Sequence, residues 1–131
     1  MIVVDASVLA NVVGDDGEDG HHARARLVRD DVAIPDLADV ETVAVLRRRW
    51  LAGDVSDGRF RRAVDALVAM PLDRFPAAAF MRRAFELRAN VTAYDATYVA
   101  LAEALVCPLV TGDTHLAAAP GLRCEVEILR L

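Results

Sequence analysis

Ile2-Val3-Val4-Asp5-Ala6-Ser7-Val8-Leu9 is the stretch from which the fold can be read outward. Three β-branched residues in a row, with no polar alternation, suit a strand buried on both faces, as in the middle of a parallel sheet. Asp5 stands at the C-terminal end of that run. Ser7 is placed to cap the helix that follows, whose apolar stripe is Val8, Leu9, Val12 and Val13. The stretch Gly14-Asp15-Asp16-Gly17-Glu18-Asp19-Gly20 then reads as a solvated loop.

The same alternation continues along the chain. An amphipathic helix is predicted from His21 to Asp30, a strand at Val32–Pro35, and a helix from Leu37 to Leu51 capped by Asp36 and stopped at Gly53. Ser56–Met70 and Pro76–Arg88 read as two more helices, joined by a Pro71–Phe75 link with room for a strand, and Asn90 as a C-cap. Thr92-x-x-Asp95 opens a helix that carries Tyr94, Tyr98, Leu101 and Leu105 at helical spacing. Pro108–Thr111 is a strand ending in Gly112-Asp113, and Glu125–Leu129 the last strand. Strands alternating with helices require right-handed crossovers and a parallel sheet covered on both faces: one three-layer α/β/α domain over residues 1–131. Functional crevices in such sheets lie outside the carboxyl ends of the strands.

Composition narrows the function classes. Hydrophobic residues make up 55% of the 131 and charged residues 27%, with seven Gly and five Pro, which excludes disorder and suits one packed domain. All basic residues are Arg, so chemistry needing a catalytic lysine is excluded. Cys107 and Cys124 match no metal-ligand spacing and read as small hydrophobes. The N-terminus has no basic region before its apolar run, and the apolar stretch Val91–Val110 is broken by Asp95 and Glu103. A cytoplasmic protein without a membrane span is therefore expected. The net charge of −5 looks unfavourable for a nucleic-acid partner. Setting aside four site acids leaves 16 acids against 15 arginines, which a bound divalent cation more than offsets.

Those four are Asp5, Glu41, Asp95 and Asp113. Singly, each has a structural explanation: a strand-end turn, a helix N-terminus favoured by the macrodipole, or a turn after Gly112. Together, two come from strand ends and two from the first turns of helices, positions that can converge on one crevice of a doubly wound sheet. Carboxylates so placed raise one another's pKa, and a divalent cation relieves the repulsion. An all-oxygen donor set with no well-placed His or Cys selects Mg²⁺ or Mn²⁺, and Mg²⁺ takes only one or two carboxylates directly.

Val4-Asp5-Ala6-Ser7, Asp39-Val40-Glu41, Tyr94-Asp95-Ala96-Thr97-Tyr98-Val99-Ala100-Leu101-Ala102 and Val110-Thr111-Gly112-Asp113, in this order, resemble the signature of PIN-domain ribonuclease toxins of the VapBC type. The resemblance covers nearly the whole chain. It implies an endoribonuclease dependent on Mg²⁺ or Mn²⁺, with Asp5, Glu41, Asp95 and Asp113 catalytic and Asp5, Asp95 and Asp113 holding the metal. The metal would polarise a phosphoryl oxygen and activate a water for in-line attack, leaving 5′ phosphate and 3′ hydroxyl ends. Ser7 and Thr111 match hydroxyl positions that orient the acids, and Asn11, one turn beyond Ser7, is a candidate to join them. A homodimer and a hetero-oligomer with a small cognate antitoxin are also implied. Some relatives carry a fifth acid where His115 stands, so a one-metal site is expected here.

Arginines must supply RNA contacts. The runs are Arg47-Arg48-Arg49, then Arg59, Arg61 and Arg62, then Arg82, Arg83 and Arg88; Arg47, Arg48, Arg82 and Arg83 are the candidates taken forward. Two other readings compete. A haloacid-dehalogenase-like phosphatase also places Asp after its first strand, but needs a second Asp at the position of Ser7 and normally a Lys. A non-catalytic module would use the acidic groove to hold a basic partner. Leu46, Trp50 and Leu51 on one helix and Val64, Leu67 and Val68 on the next are candidate partner-groove positions.

Overall fold

The computed structural model describes residues 1–129. The last two residues of the expected domain lie outside the described part. Strand β1 (Ile2–Val4) is fully buried and central. It pairs in parallel with β2 (Val32–Pro35) on one side and β4 (Leu109–Thr111) on the other, in the register Ile2 to Val32 and Val3 to Leu109. β3 (Asp73–Phe75) and β5 (Val126–Ile128) are the edges, giving an all-parallel sheet of order β3-β2-β1-β4-β5. The strands are short and buried at the centre because Ile2, Val3, Val4, Ile34, Leu109 and Val110 have apolar neighbours on both faces.

Helices flank this sheet as the three-layer reading requires. They are α1 (Ala6–Gly14), α2 (Glu18–Leu27), α3 (Leu37–Leu51), α4 (Asp57–Ala69), α5 (Met81–Glu86), α6 (Ala93–Leu105) and α7 (Thr114–Ala117). α1 packs on α2, α3 and α4, while α6 packs on β1, β2 and β4 and against α5. A satellite core of Ala10, Val13, Leu46, Ala63 and Leu67 fastens α1, α3 and α4 together. Among the described residues no helix is long and apolar enough to cross a membrane. Both cysteines are free, half-buried and packed against the core; burial raises the Cys107 thiol and pushes Cys124 up to about 11, as suits packing rather than reactivity.

Several boundaries differ from the sequence expectations. The N-cap of α1 is Asp5, whose carboxylate accepts from Val8 N at 3.1 Å, and Ser7 donates to that same carboxylate. Asp36 caps nothing through its side chain; its Oδ1 accepts from Ala77 N at 3.0 Å, tying the start of α3 to the segment after β3. The helix expected over Pro76–Arg88 is a 3-10 turn, Ala77–Phe80, followed by α5. Asn90 is not a C-cap; its amide donates to Pro120 O at 3.0 Å.

The acidic loop is shorter than expected, because α2 starts at Glu18. The Asp15 carboxylate accepts from Gly17 N and Gly20 N, and the Asp15 carbonyl accepts from Arg24 Nη1 at 2.7 Å. Gly20 is buried here, and a Cβ on it would lie 1.8 Å from the Asp15 carbonyl oxygen. Backbone cannot swing aside as a side chain can. Gly20→Ala is therefore expected to lower stability by about 1–3 kcal/mol, the usual cost of overpacking, despite the better helix propensity of Ala. Chemical denaturation checks this, and an unchanged midpoint would contradict the close approach.

Candidate active site

β1 and β4 end side by side, and each delivers an acid to the carboxyl edge of the sheet. The Asp5 backbone N–H donates to Val110 O at 3.3 Å, which seats Asp5 beside β4. Its Oδ1 accepts from Ser7 Oγ at 2.9 Å and Val8 N at 3.1 Å, and its Oδ2 from Thr111 Oγ1. Thr111 is fully buried, and its hydroxyl also accepts from Asp113 N at 3.1 Å. One side chain thus locks the acids of two neighbouring strands to each other. Asp113 caps α7 by accepting from His115 N at 2.9 Å. The His115 ring reaches the same Asp113 oxygen at 3.5 Å, but its side chain is 97% exposed.

Helices bring the other two acids. Thr92 caps α6 by accepting from Asp95 N at 3.2 Å, which puts Asp95 in the first turn. Glu41 lies in the second turn of α3 and accepts from Tyr98 Oη, on α6, at 3.0 Å. Tyr98 is buried. Its burial and the Glu41 charge push the phenol far above its ordinary range, so the hydroxyl stays a donor.

Electrostatics links the acids in part: Glu41 feels Asp95 and Asp5, and Asp95 feels Asp113 and Asp5. Burial raises Glu41; the Tyr98 hydroxyl opposes this, the charges of Asp95 and Asp5 add to it, and Arg48 opposes it. Burial likewise raises Asp95, reinforced by Asp113 and Asp5 and partly countered by Thr92. Two half-buried acids held above their ordinary range by burial, with neighbouring acids adding to it, form a site with excess negative charge. Asp95 and Asp113 also line a cleft of about 430 Å³, together with Arg88, Asn90, Thr92 and His115.

The donors suit a hard divalent cation, since each acid offers oxygen and a cation between them would relieve the strain on Glu41 and Asp95. Among the described residues no three His, Cys, Asp or Glu side chains are placed so as to hold a metal ion together.

The remaining sequence candidates fall differently. Ser7 and Thr111 both hold Asp5, as expected of the hydroxyl positions. The Asn11 side chain instead accepts from Arg49 Nη2 at 2.8 Å, so its partner is an arginine of α3 and not one of the acids. Arg47 and Arg48 are exposed, and Arg48 is near enough to Glu41 to lower its pKa. Arg82 is exposed on α5. Arg83 is a correction: it chelates Glu103 at 2.7 and 3.1 Å and donates to Gly121 O at 2.9 Å, so its donors serve the fold. Of the partner-groove positions, Leu46 is buried in the satellite core, and Trp50 packs against Phe60 with its ring N–H on Asp57. Val64, Leu67 and Val68 do line a groove of about 570 Å³ with Val40 and Val43. Tyr98 escaped the sequence reading, which placed it only as apolar spacing. A usable signal was present, because a Tyr on the apolar face of a helix must find a partner for its hydroxyl.

The PIN domain family model matches residues 2–122. Ribonuclease VapC1 of Mycobacterium tuberculosis is 41% identical over 129 residues, covering 98% of this chain and 97% of that protein. Ribonuclease VapC9 of the same species is 36% identical over 129 residues, covering 98% of each. Among solved structures, M. tuberculosis VapC20, described as a sarcin-ricin loop cleaving toxin, superposes with a TM-score of 0.71 at 17% identity, over 90% of this chain and 94% of that one. VapBC2 from Rickettsia felis, bound to a DNA fragment from its promoter, gives 0.70 at 15% identity, over 99% and 100%.

Proposed function

The chain belongs to the PIN-domain family, and we propose that it is a divalent-cation-dependent endoribonuclease acting as the toxin of a toxin–antitoxin pair. The observation that carries this reading is Asp5, fixed at the end of the central strand by Ser7, Val8 and Thr111, with its charge felt by Glu41 and Asp95 and with Asp113 joined to it through the Thr111 hydroxyl. The full-length kinship with proteins named ribonucleases agrees. Asp5, Asp95 and Asp113 are assigned to hold Mg²⁺ or Mn²⁺, one ion per site. When bound, the cation supplies positive charge at the scissile phosphate and a water of lowered pKa. Ser7 and Thr111 hold the Asp5 carboxylate in one orientation, Tyr98 does so for Glu41, and Asp95 or Asp113 takes the proton of the attacking water. Arg47, Arg48 and Arg82 are the exposed cations assigned to the RNA backbone.

The partners follow from the same assignment. A small antitoxin supplies an apolar segment for the α3–α4 groove, where Val40 and Val68 are 73% and 74% exposed, and the toxin itself forms a homodimer in the cytoplasm. The phosphatase reading fits less well, since Ser7 occupies the position of its second Asp and is spent on orienting Asp5.

Purified protein is expected to cut single-stranded RNA in Mg²⁺ or Mn²⁺, to lose at least ~100-fold of that rate in EDTA, and to regain it with excess cation. Cleavage indifferent to EDTA would overturn metal dependence. Hydrolysis of a small phosphomonoester with no action on RNA would return the phosphatase, and absence of any turnover would leave a binding module.

A further inference from the structure

We infer that the cleft beside Asp95 and Asp113 is a nucleotide subsite in which Arg88 holds a phosphate of the single strand adjoining the scissile one. The inference rests on the ribonuclease reading and adds the groove through which the substrate leaves the acids.

Four of the described arginines are neutralised within the fold. Arg26 pairs with Glu127 and Asp30, Arg59 with Asp16, Arg74 with Asp39 and Arg83 with Glu103. Arg88 has no carboxylate partner among the described residues, yet it is held in place. Its Nη1 donates to Phe85 O at 2.9 Å, and its guanidinium lies 4.0 Å over the ring of Phe85, itself 64% exposed. An unneutralised guanidinium whose orientation is already fixed loses little further entropy on meeting a phosphate.

Its position gives the cation a purpose. Arg88 lines the cleft into which Asp95 and Asp113 open, so one concavity carries a positive wall and an acidic wall. A lone anion is drawn to the first and repelled by the second. A phosphodiester strand satisfies both when one phosphate sits on Arg88 and the next meets the cation held by the acids. Asn90 lines the same cleft, with its amide nitrogen anchored on Pro120 O at 3.0 Å, leaving its carbonyl oxygen as an acceptor for a base edge. At about 430 Å³ the cleft has the size of a small-molecule pocket and fits a splayed nucleotide rather than an A-form duplex.

The test measures binding without catalysis, in EDTA, by fluorescence anisotropy of a labelled single-stranded oligoribonucleotide across a range of KCl. Arg88→Ala is expected to weaken binding by about 5–10-fold and to reduce the slope of log affinity against log salt by about 0.7, the release expected for one phosphate contact on a single strand. Arg88→Lys should recover the slope. The control is Arg29→Ala: Arg29 precedes β2 at the opposite, amino-terminal edge of the sheet, and its loss should change neither quantity. Equal losses from both alanine variants, or none from Arg88→Ala, overturn the subsite. A protein that shows the Arg88 effect but cuts no RNA in Mn²⁺ keeps the subsite and overturns the ribonuclease reading, so the two failures are separable.

Discussion

Asp5→Asn is expected to abolish cation-dependent RNA cleavage, by at least ~100-fold, with the melting temperature almost unchanged. The two halves of this expectation have different origins. Asn is as good an N-cap as Asp, so the bond from Val8 N to the Asp5 position survives and α1 keeps its first turn. The Ser7 hydroxyl retains an acceptor, and the new amide N–H can donate to the Thr111 hydroxyl in place of the bond now running the other way. What disappears is one negative charge. Its loss weakens charge-assisted bonds, but it also relieves Glu41 and Asp95, both of which Asp5 raises. These opposing changes leave a net effect within ~1 kcal/mol. Activity has no such compensation, because an amide oxygen is a poor ligand for a cation that three carboxylates would otherwise share. Asp5→Ala separates the roles further, since it loses the cap as well and should cost about 1 kcal/mol. Initial rates in Mn²⁺ and thermal melts on the same preparations decide it, and wild-type cleavage by Asp5→Asn would refute the site.

The parts of this molecule readable in advance are those fixed by short-range pattern. The run Ile2–Val4 has no polar alternation, so it had to be a strand covered on both faces, and a central strand in a parallel sheet ends at the functional edge. Thr92 and Asp95, three residues apart ahead of an apolar run, marked the start of α6 for the same local reason. The differences arose where particular side-chain and carbonyl contacts, rather than residue propensity, set the outcome. Glycines and acids between Gly14 and Gly20 have loop propensity, yet the Asp15 carbonyl and carboxylate hold Gly17, Gly20 and Arg24, which allows α2 to begin at Glu18. Arg83 sits in a basic run that looks identical to its neighbours until Glu103, twenty residues on, takes its guanidinium. The gathering of the acids was suggested by topology and family likeness. The bonds that orient them, Thr111 to Asp5 and Tyr98 to Glu41, span 106 and 57 residues, and nothing local encodes such partners.

Glu41→Gln should stabilise the metal-free protein while impairing cleavage, a pairing expected of a group kept for chemistry at some cost to the fold. Gln retains an oxygen for the Tyr98 hydroxyl, so the buried phenol stays satisfied. It removes the burial penalty on a charge and the repulsion from Asp95 and Asp5, giving up the charge-assisted part of the Tyr98 bond and the attraction of Arg48. The pH dependence fixes the sign. Because the folded pKa of Glu41 is raised, the native state binds a proton more tightly than the unfolded chain does. Its contribution to stability is therefore fully present below the unfolded value, about 4.3, and is lost as pH rises through the raised folded value. Asp95 titrates in the same direction and reinforces the trend. In EDTA, the Glu41→Gln protein should accordingly melt a few degrees (~3 °C) above wild type at pH 7, with the gap closing toward pH 4. Saturating Mn²⁺ should raise the melting temperature of wild type more than that of the variant, since the cation relieves repulsion that the variant has already shed. Its cleavage rate should fall by about 10-fold or more. A gap that widens on acidification would mean that Glu41 is stabilised as the anion, contrary to its burial among like charges.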